Sequence, residues 1–545
     1  MILRLLLLLP AAASLVLAPA AAAPPEAEPL VAELKGLVML SQPSHARPQA
    51  EAAGLVAAEV PLLLDSGFQK IAAAHLGKPV SLDSLNALSR EVVGFFRDHD
   101  RPVVDVSVPE QDITNGVVQM VVVEGRLGLV RVEGNRWISA EALQRGWSLA
   151  PGSPLRSTRV LRELDWLNEN PFRNVEAVYT PGREFGLTDV ILKVQDRFPL
   201  RAFAGYENSG TELTGEDRLL AGLQWGNALG LDHQFSYQFM ADARAQHYFS
   251  HLASYVAPLP WKHRLRLTGF YATTSANLAA GDSPLALDGE SFLGGMRYEI
   301  PLPGTAALKH EASLGFDYKR TTDDLLFNRI RAAGAETEVF AFSAGYRATL
   351  RDDLGGTSFT TTAVYSPGGW SDDSTDAAYE QVRSGASAEF FHVRTELERL
   401  TRLPADFSLL LRASGQLSTE NLLPSEQLFL GGWNTVRGYE EFLLLGDDGL
   451  LLSAEIRSPS LHPLRFCKKS STDSLQLLTF WDYGTARLHD PLPEEPGSAS
   501  LMSVGAGLRY EIGTNFSVRF DYGWALEREP GQASGRGHLG VVLAF

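Results

Sequence analysis

The chain of 545 residues contains a single cysteine, Cys467. A lone thiol forms no internal disulfide and leaves no CxxC pair to hold a metal, and no role is assigned to it. Long apolar runs are also missing. Beyond the first 23 residues none approaches the roughly 20 needed for a membrane-spanning helix, so any membrane passage falls to strands, whose polar face dilutes the average hydropathy. The mean hydropathy of -0.06 suits such a chain. Basic residues are in deficit, with 48 Lys and Arg against 65 Asp and Glu and a formal net charge of -17. Nucleic acid would be repelled at long range and is not expected as a partner. Catalytic signatures are lacking as well: there is no P-loop, no G-x-S-x-G elbow and no H-E-x-x-H pair, and the histidines are scattered. Neither an enzyme nor a cofactor is expected.

The first 23 residues combine Arg4, an apolar run from Leu5 through Leu17, and the small residues Ala20 to Ala23 before Pro24. This pattern predicts a secretory signal cleaved near Ala22 or Ala23. Residues 24–50 hold one apolar stretch, PEAEPLVAELKGLVML, with Gly36 inside it and Pro43 soon after. It is expected to be a short helix, a linker or an added strand.

Residues 51–198 read as two copies of one α+β unit, 51–125 and 126–198, each a strand, two helices and two strands. In the first, LDSLNALSREVVGFF sets Leu85, Leu88, Val92 and Phe95 on one helical face, before the strands RPVVDVSV and GVVQMVVVEG. In the second, LGLVRVEGN precedes the helix STRVLRELDWLNENP, with Val160, Leu164 and Leu167 on one stripe and a stop at Pro171. NVEAVYT and GLTDVILKVQD follow, split by the turn signal PGREFG.

Residues 199–545 are almost all strand pattern. In SVGAGLRYEIG and SVRFDYGWAL, aromatic and aliphatic residues alternate with Ser503, Arg509, Arg519 and Asp521. One face thus suits lipid and the other a wet lumen. About sixteen such segments predict a closed antiparallel barrel, and an even count returns both ends to one side. The ending HLGVVLAF puts Leu539, Val541, Leu543 and Phe545 on the lipid face. Within the barrel, LFLGGWNTVRGYEEF sets Arg437 among glycines between two strand patterns. A loop joining such strands either hangs outside or folds into the lumen, and an arginine folded inward needs a carboxylate. In the later segment FWDYG, alternation leaves Phe480, Asp482 and Gly484 on the lumen side and turns Trp481 away.

These motifs carry a resemblance. The two α+β units resemble POTRA (polypeptide-transport-associated) domains. The loop motif Val436, Arg437, Gly438, Tyr439, preceded by LGGWNT and followed by GDDG, resembles the lumen-inserted loop of the two-partner secretion transporters that export haemolysins and filamentous adhesins. YENSGTELTGEDRLLAGLQWGNALGLDHQ is similar to the first barrel hairpin of that family. The resemblance covers roughly residues 55 to 545. It implies an outer-membrane translocator with periplasmic POTRA domains and an inserted loop over 418–449, and an N-terminal plug helix, for which residues 24–50 offer only their one short apolar stretch. It also implies that Arg437 pairs with Asp482, on the strand carrying Phe480, Trp481 and Gly484. The implied partners are a secreted passenger, large and β-helical, outer-membrane lipid, and the barrel-assembly machinery, for which Phe545 resembles the terminal signal. An insertase of the same superfamily and a passive porin are the competing readings. Two POTRA units are few for the first, and the VRGY loop argues against the second.

Overall fold

The computed structural model describes residues 29–277, 285–327, 330–466, 472–493, 495–528 and 533–545. The expected secretory signal, residues 1–23, and Cys467 lie outside them. No described helix is long and apolar enough to cross a membrane.

The first α/β unit is a four-stranded sheet in the order Gly54–Val56, Gly36–Leu40, Val117–Glu124, Val104–Ser107. Helix Leu82–Asp98 covers it, started by a reciprocal cap between Ser81 and Ser84. Its buried stripe of Leu85, Leu88, Val92, Phe95 and Phe96 packs with Leu37, Met39, Val118 and Met120 of the sheet. Of the alternatives expected for residues 24–50, the added strand is the one found at 36–40. Residues 36–40 are neither a helix nor a linker but an inner strand, paired in parallel with Gly54–Val56 on one side and Val117–Glu124 on the other. The run GLVML is apolar throughout because both faces are covered, with Leu37 at 0% exposure on the helix side and Leu40 at 6% on the other. Gly36 belongs to this strand because a Cβ there would lie 2.4 Å from the Ala52 carbonyl oxygen. The first unit therefore begins before residue 51.

The second α/β unit orders its three strands as Arg126–Glu133, Leu187–Asp196, Arg173–Pro181. Its helix Ser157–Leu167 buries Val160, Glu163 and Leu167. The acid in that stripe is a second departure from the expected apolar face. Glu163 accepts hydrogen bonds from the Ser148 amide and hydroxyl at 2.7 and 2.6 Å, and pairs with Lys262 of the barrel. Further links fasten this unit to the barrel turns. Arg173 grips Asp232, Arg264 meets Glu169 at 2.9 Å, and the Asn170 amide donates to the Gly226 carbonyl at 2.5 Å.

The remaining chain closes into a barrel of sixteen antiparallel strands. In chain order, β1 to β16 are Leu200–Glu207, Arg218–Ala228, His233–Asp242, Tyr248–Pro258, Arg264–Asn277, Leu285–Pro301, Leu308–Phe327, Ile330–Asp352, Gly355–Pro367, Glu389–Arg402, Ser408–Ser418, Asp448–Arg457, Asp473–Arg487, Ser498–Ile512, Phe516–Ala525 and Gly535–Ala544. Alternation sorts the two faces. Leu477, Trp481, Val504, Trp524 and Leu543 are exposed outward, while Asp482, Ser503, Asp521 and His538 are wholly buried inward. Outward Tyr hydroxyls are hydrogen-bonded to histidines at His233–Tyr255, His263–Tyr298 and His310–Tyr346, and Trp261 also donates to Tyr298. All three histidines lie near the turns on the side where the second α/β unit attaches, as in an interfacial aromatic girdle.

The barrel closes where β16 meets β1, from Gly540 opposite Glu207 to Ala544 opposite Phe203. Phe545 extends this seam, exchanging two backbone hydrogen bonds with Ala202 (3.2 and 2.8 Å) while its ring stays 77% exposed. Deleting Phe545 removes both bonds, worth about 1 kcal/mol each, together with the outward aromatic end. The amount of heat-modifiable barrel in the outer-membrane fraction is expected to drop severalfold. Unchanged levels would contradict this role.

Candidate functional site

Between β11 and β12 the chain does not turn back at once: residues 419–447 fold into the lumen. A short hairpin, Leu428–Leu430 with Leu444–Gly446, stiffens the insertion. Leu428, Leu430, Val436 and Tyr439 pack on Ala486, Leu501 and Ala525 of the inner wall. The base is tied down separately. Asp447, fully buried, accepts from Arg383, the amides of Leu422 and His489, and the Gln427 side chain. Glu426 meets Lys319 at 2.6 Å.

Arg437 lies at the tip and is 3% exposed. Its Nε and Nη2 donate to the two carboxylate oxygens of Asp482 at 2.8 and 3.0 Å, and its own amide reaches the same carboxylate at 3.2 Å. Such a planar two-point pair is the strong, directional form of an ion pair. Nη1 donates to Glu455 at 2.9 Å and stands 3.6 Å from Asp521. The guanidinium carbon lies 3.4 Å from the centroid of the Phe480 ring. The acids are shared with wall cations. Glu455 also pairs with Arg457, and Asp521 with Arg509 and Arg519. Asp482 has a neutral second partner, the Ser453 hydroxyl at 2.7 Å. Arg437 is thus the only cation among the ion-pair partners described for Asp482.

The remaining motif residues shape the fit. Gly438 has φ of 94°, and its amide donates to His538 Nε2 at 3.1 Å. The Tyr439 hydroxyl lies 2.8 and 2.6 Å from the carbonyls of Met502 and Glu527. Glycines on four successive strands leave room for the loop and for the Phe480 ring that packs on Arg437. A Cβ would lie 2.9 Å from Val436 at Gly484, 2.2 Å from the Phe480 ring at Gly505, 2.7 Å from the Arg437 carbonyl at Gly523 and 2.4 Å from Trp433 at Gly540. Trp433 in turn lies under the Arg519 guanidinium.

The fold therefore brings Val436, Arg437, Gly438, Tyr439, Phe480, Asp482 and Gly484 into one cluster. Trp481 is not part of it. It faces outward, 38% exposed, and stacks on Tyr483. Phe545 belongs to the barrel seam instead. Sequence reasoning did not single out Glu455, Ser453 or His538 as partners of the loop. Asp521 was legible as a lumen carboxylate, but its proximity to Arg437 was not. No group of His, Cys, Asp and Glu fit to hold a metal ion occurs among the described residues. Chemically, the arrangement holds a loop in a fixed pose inside a pore.

Comparison with known proteins places this geometry. The family model for haemolysin secretion/activation proteins ShlB/FhaC/HecB matches residues 186–510, and the ShlB-type POTRA domain model matches residues 55–125. The chain is 23% identical over 460 residues to the heme/hemopexin transporter protein HuxB of Haemophilus influenzae, covering 82% of this chain and 78% of that protein. It is 24% identical over 466 residues to the outer membrane transporter CdiB of Escherichia coli O6:K15:H31, covering 82% and 74%. Among solved structures, CdiB from Escherichia coli superposes with a TM-score of 0.74 at 19% identity, covering 98% of this chain and 94% of that one. CdiB from Acinetobacter baumannii gives 0.64 at 17% identity, covering 94% and 90%.

Proposed function

We propose, for a chain that belongs to the haemolysin secretion/activation family of two-partner secretion transporters in the outer membrane, that it captures an unfolded secreted partner in the periplasm and passes it through the barrel. The observation that carries this reading is the arginine loop held in the lumen of a closed barrel by Asp482 and Glu455. An open pore needs no such device. A conduit whose width must be kept for a polypeptide does, because a loop of this length left mobile would fill the path.

The residues divide the work. Arg437 holds the loop, Gly438 lets its tip lie against the wall, and Val436 and Tyr439 seat it. The second α/β unit acts as a further POTRA domain, joined to the barrel turns. Energy comes from the passenger folding outside the cell, since the sequence has no nucleotide-binding loop. Whether passage also activates the passenger depends on that partner's chemistry.

Capture is assigned to the first α/β unit. Helix Leu82–Asp98 runs beside Val104–Ser107, a strand that pairs on one side only, with Val117–Glu124. The open edge accepts an extended peptide as a further strand, and the adjoining helix supplies a wall. The test is co-expression with a large secreted β-helical protein as candidate passenger. A photo-crosslinker at Asp105 is expected to join that protein during export. Crosslinks confined to barrel positions would contradict this assignment.

A further inference from the structure

Most large exposed apolar side chains of the barrel project from its outer face, where lipid covers them. Phe429, Phe442 and Leu445 do not. In the inserted hairpin, Leu428 and Leu430 turn to the wall, so Phe429 and its register partner Leu445 turn away from it, each 39% exposed. Phe442 is 54% exposed, and its ring lies 4.9 Å from that of Phe429. Its backbone adopts φ of 59°, a left-handed conformation that is an outlier for a bulky side chain. Strain of this kind persists where surrounding structure imposes it, and it gathers at functional positions. Beside the pair lies a cavity of about 480 Å³, lined by Phe442, Leu445, Val382, Arg383, Leu488 and Leu492.

We infer that Phe429, Phe442 and Leu445 form an apolar contact surface inside the pore, which binds apolar side chains of the polypeptide in transit. The argument is one of access. The closed barrel keeps lipid away from these side chains, and the wall behind the hairpin is already filled by Leu428, Leu430 and Val436. A polypeptide passing the hairpin can cover the patch. An unfolded chain carries apolar side chains that folding will later bury, and the lined cavity has room for one or two of them. The inference rests on the export reading and adds where the cargo touches.

The test uses the purified full chain in a planar bilayer, with two synthetic peptides of equal length and charge. One alternates Leu with Ser and the other contains only Ser, Gly and Asn. With the wild-type chain the Leu peptide is expected to block the pore about tenfold longer per event, the effect of burying one apolar side chain. The variant Phe429→Ser with Phe442→Gly is expected to abolish the difference. Glycine accepts the left-handed backbone, so Phe442→Gly alone removes the ring without displacing the loop. Heat-modifiability confirms that each barrel is folded. Equal dwell times in the wild type, or a preference for the Leu peptide that survives the double variant, would overturn the inference. A benzophenone at position 442 decides the occupant. Adducts with the Leu peptide support it, whereas adducts with residues 24–28 of the same chain, or none, overturn it. Export itself is read separately, as secretion in cells, so a pore that exports but shows no peptide preference sinks only this inference.

Discussion

Arg437→Ala is expected to reduce secretion by about 100-fold or more while leaving the barrel in the membrane. The size follows from the partners. Breaking a buried ion pair by removing one member costs about 3–5 kcal/mol, because the other charge stays buried without compensation. Here the abandoned acid is Asp482, left with the Ser453 hydroxyl and the amide of residue 437 but no cation, whereas Glu455 keeps Arg457 and Asp521 keeps Arg509 and Arg519. Asp482→Ala is expected to be milder, since Arg437 retains Glu455 at 2.9 Å and Asp521 at 3.6 Å. The double variant is expected to lose less than the two single losses combined, by a coupling of about 0.5–3 kcal/mol. Arg437→Lys keeps the charge but not the two-point geometry, and is expected to fall between wild type and alanine. Secretion rates normalised to the amount of heat-modifiable barrel supply the measurement. Losses that simply add would show that the two residues do not act as one lock.

The second large effect needs no change of charge. A Cβ at Gly438 would lie 2.7 Å from the carbonyl carbon and oxygen of Gly523, in a backbone conformation with φ of 94°. The left-handed geometry alone costs a side chain about 1–2 kcal/mol. The clash falls on strand backbone, which cannot swing aside. Gly438→Ala is therefore expected to lift the tip from the wall and bring secretion close to the level of Arg437→Ala. Gly523→Ala presses on the same contact from the other side, 2.7 Å from the Arg437 carbonyl, and is expected to match it. Gly269→Ala, on β5 with nothing within 4 Å of its Cβ, is the control expected to secrete normally. Normal secretion by both Gly438→Ala and Gly523→Ala would mean that close seating of the tip is dispensable.

What could be read in advance followed from periodicity. A strand with one face in lipid and one in a wet lumen alternates strictly, so the barrel and the inward side of Asp482 and Asp521 were visible in single segments. Which inward groups meet was not. Arg437 and Asp521 are 84 positions apart, and their distance depends on how far a loop reaches across the register of several strands, which no local pattern encodes. Glu455 was obscured for a simpler reason: Leu450, Leu451 and Leu452 run together just before it and blur the alternation. For Gly36–Leu40 the choice between helix and added strand stayed open because an apolar run covered on both faces has no period of its own. Glu163 escaped because its place in a buried stripe depends on Ser148 and on Lys262, a residue of a barrel turn.

The side chains that receive the tip of the arginine loop all follow it along the chain. Glu455 comes on β12, Asp482 on β13, Asp521 on β15 and His538 on β16, the strand that seals the cylinder. The loop tip thus cannot settle until the final hairpin is in place. A barrel stalled before closure would hold Arg437 short of its full set of partners, with a loose tip and a blocked interior. Correct seating of Arg437 is in this sense a record of completed assembly: a molecule that has not finished building its wall cannot yet have an open conduit.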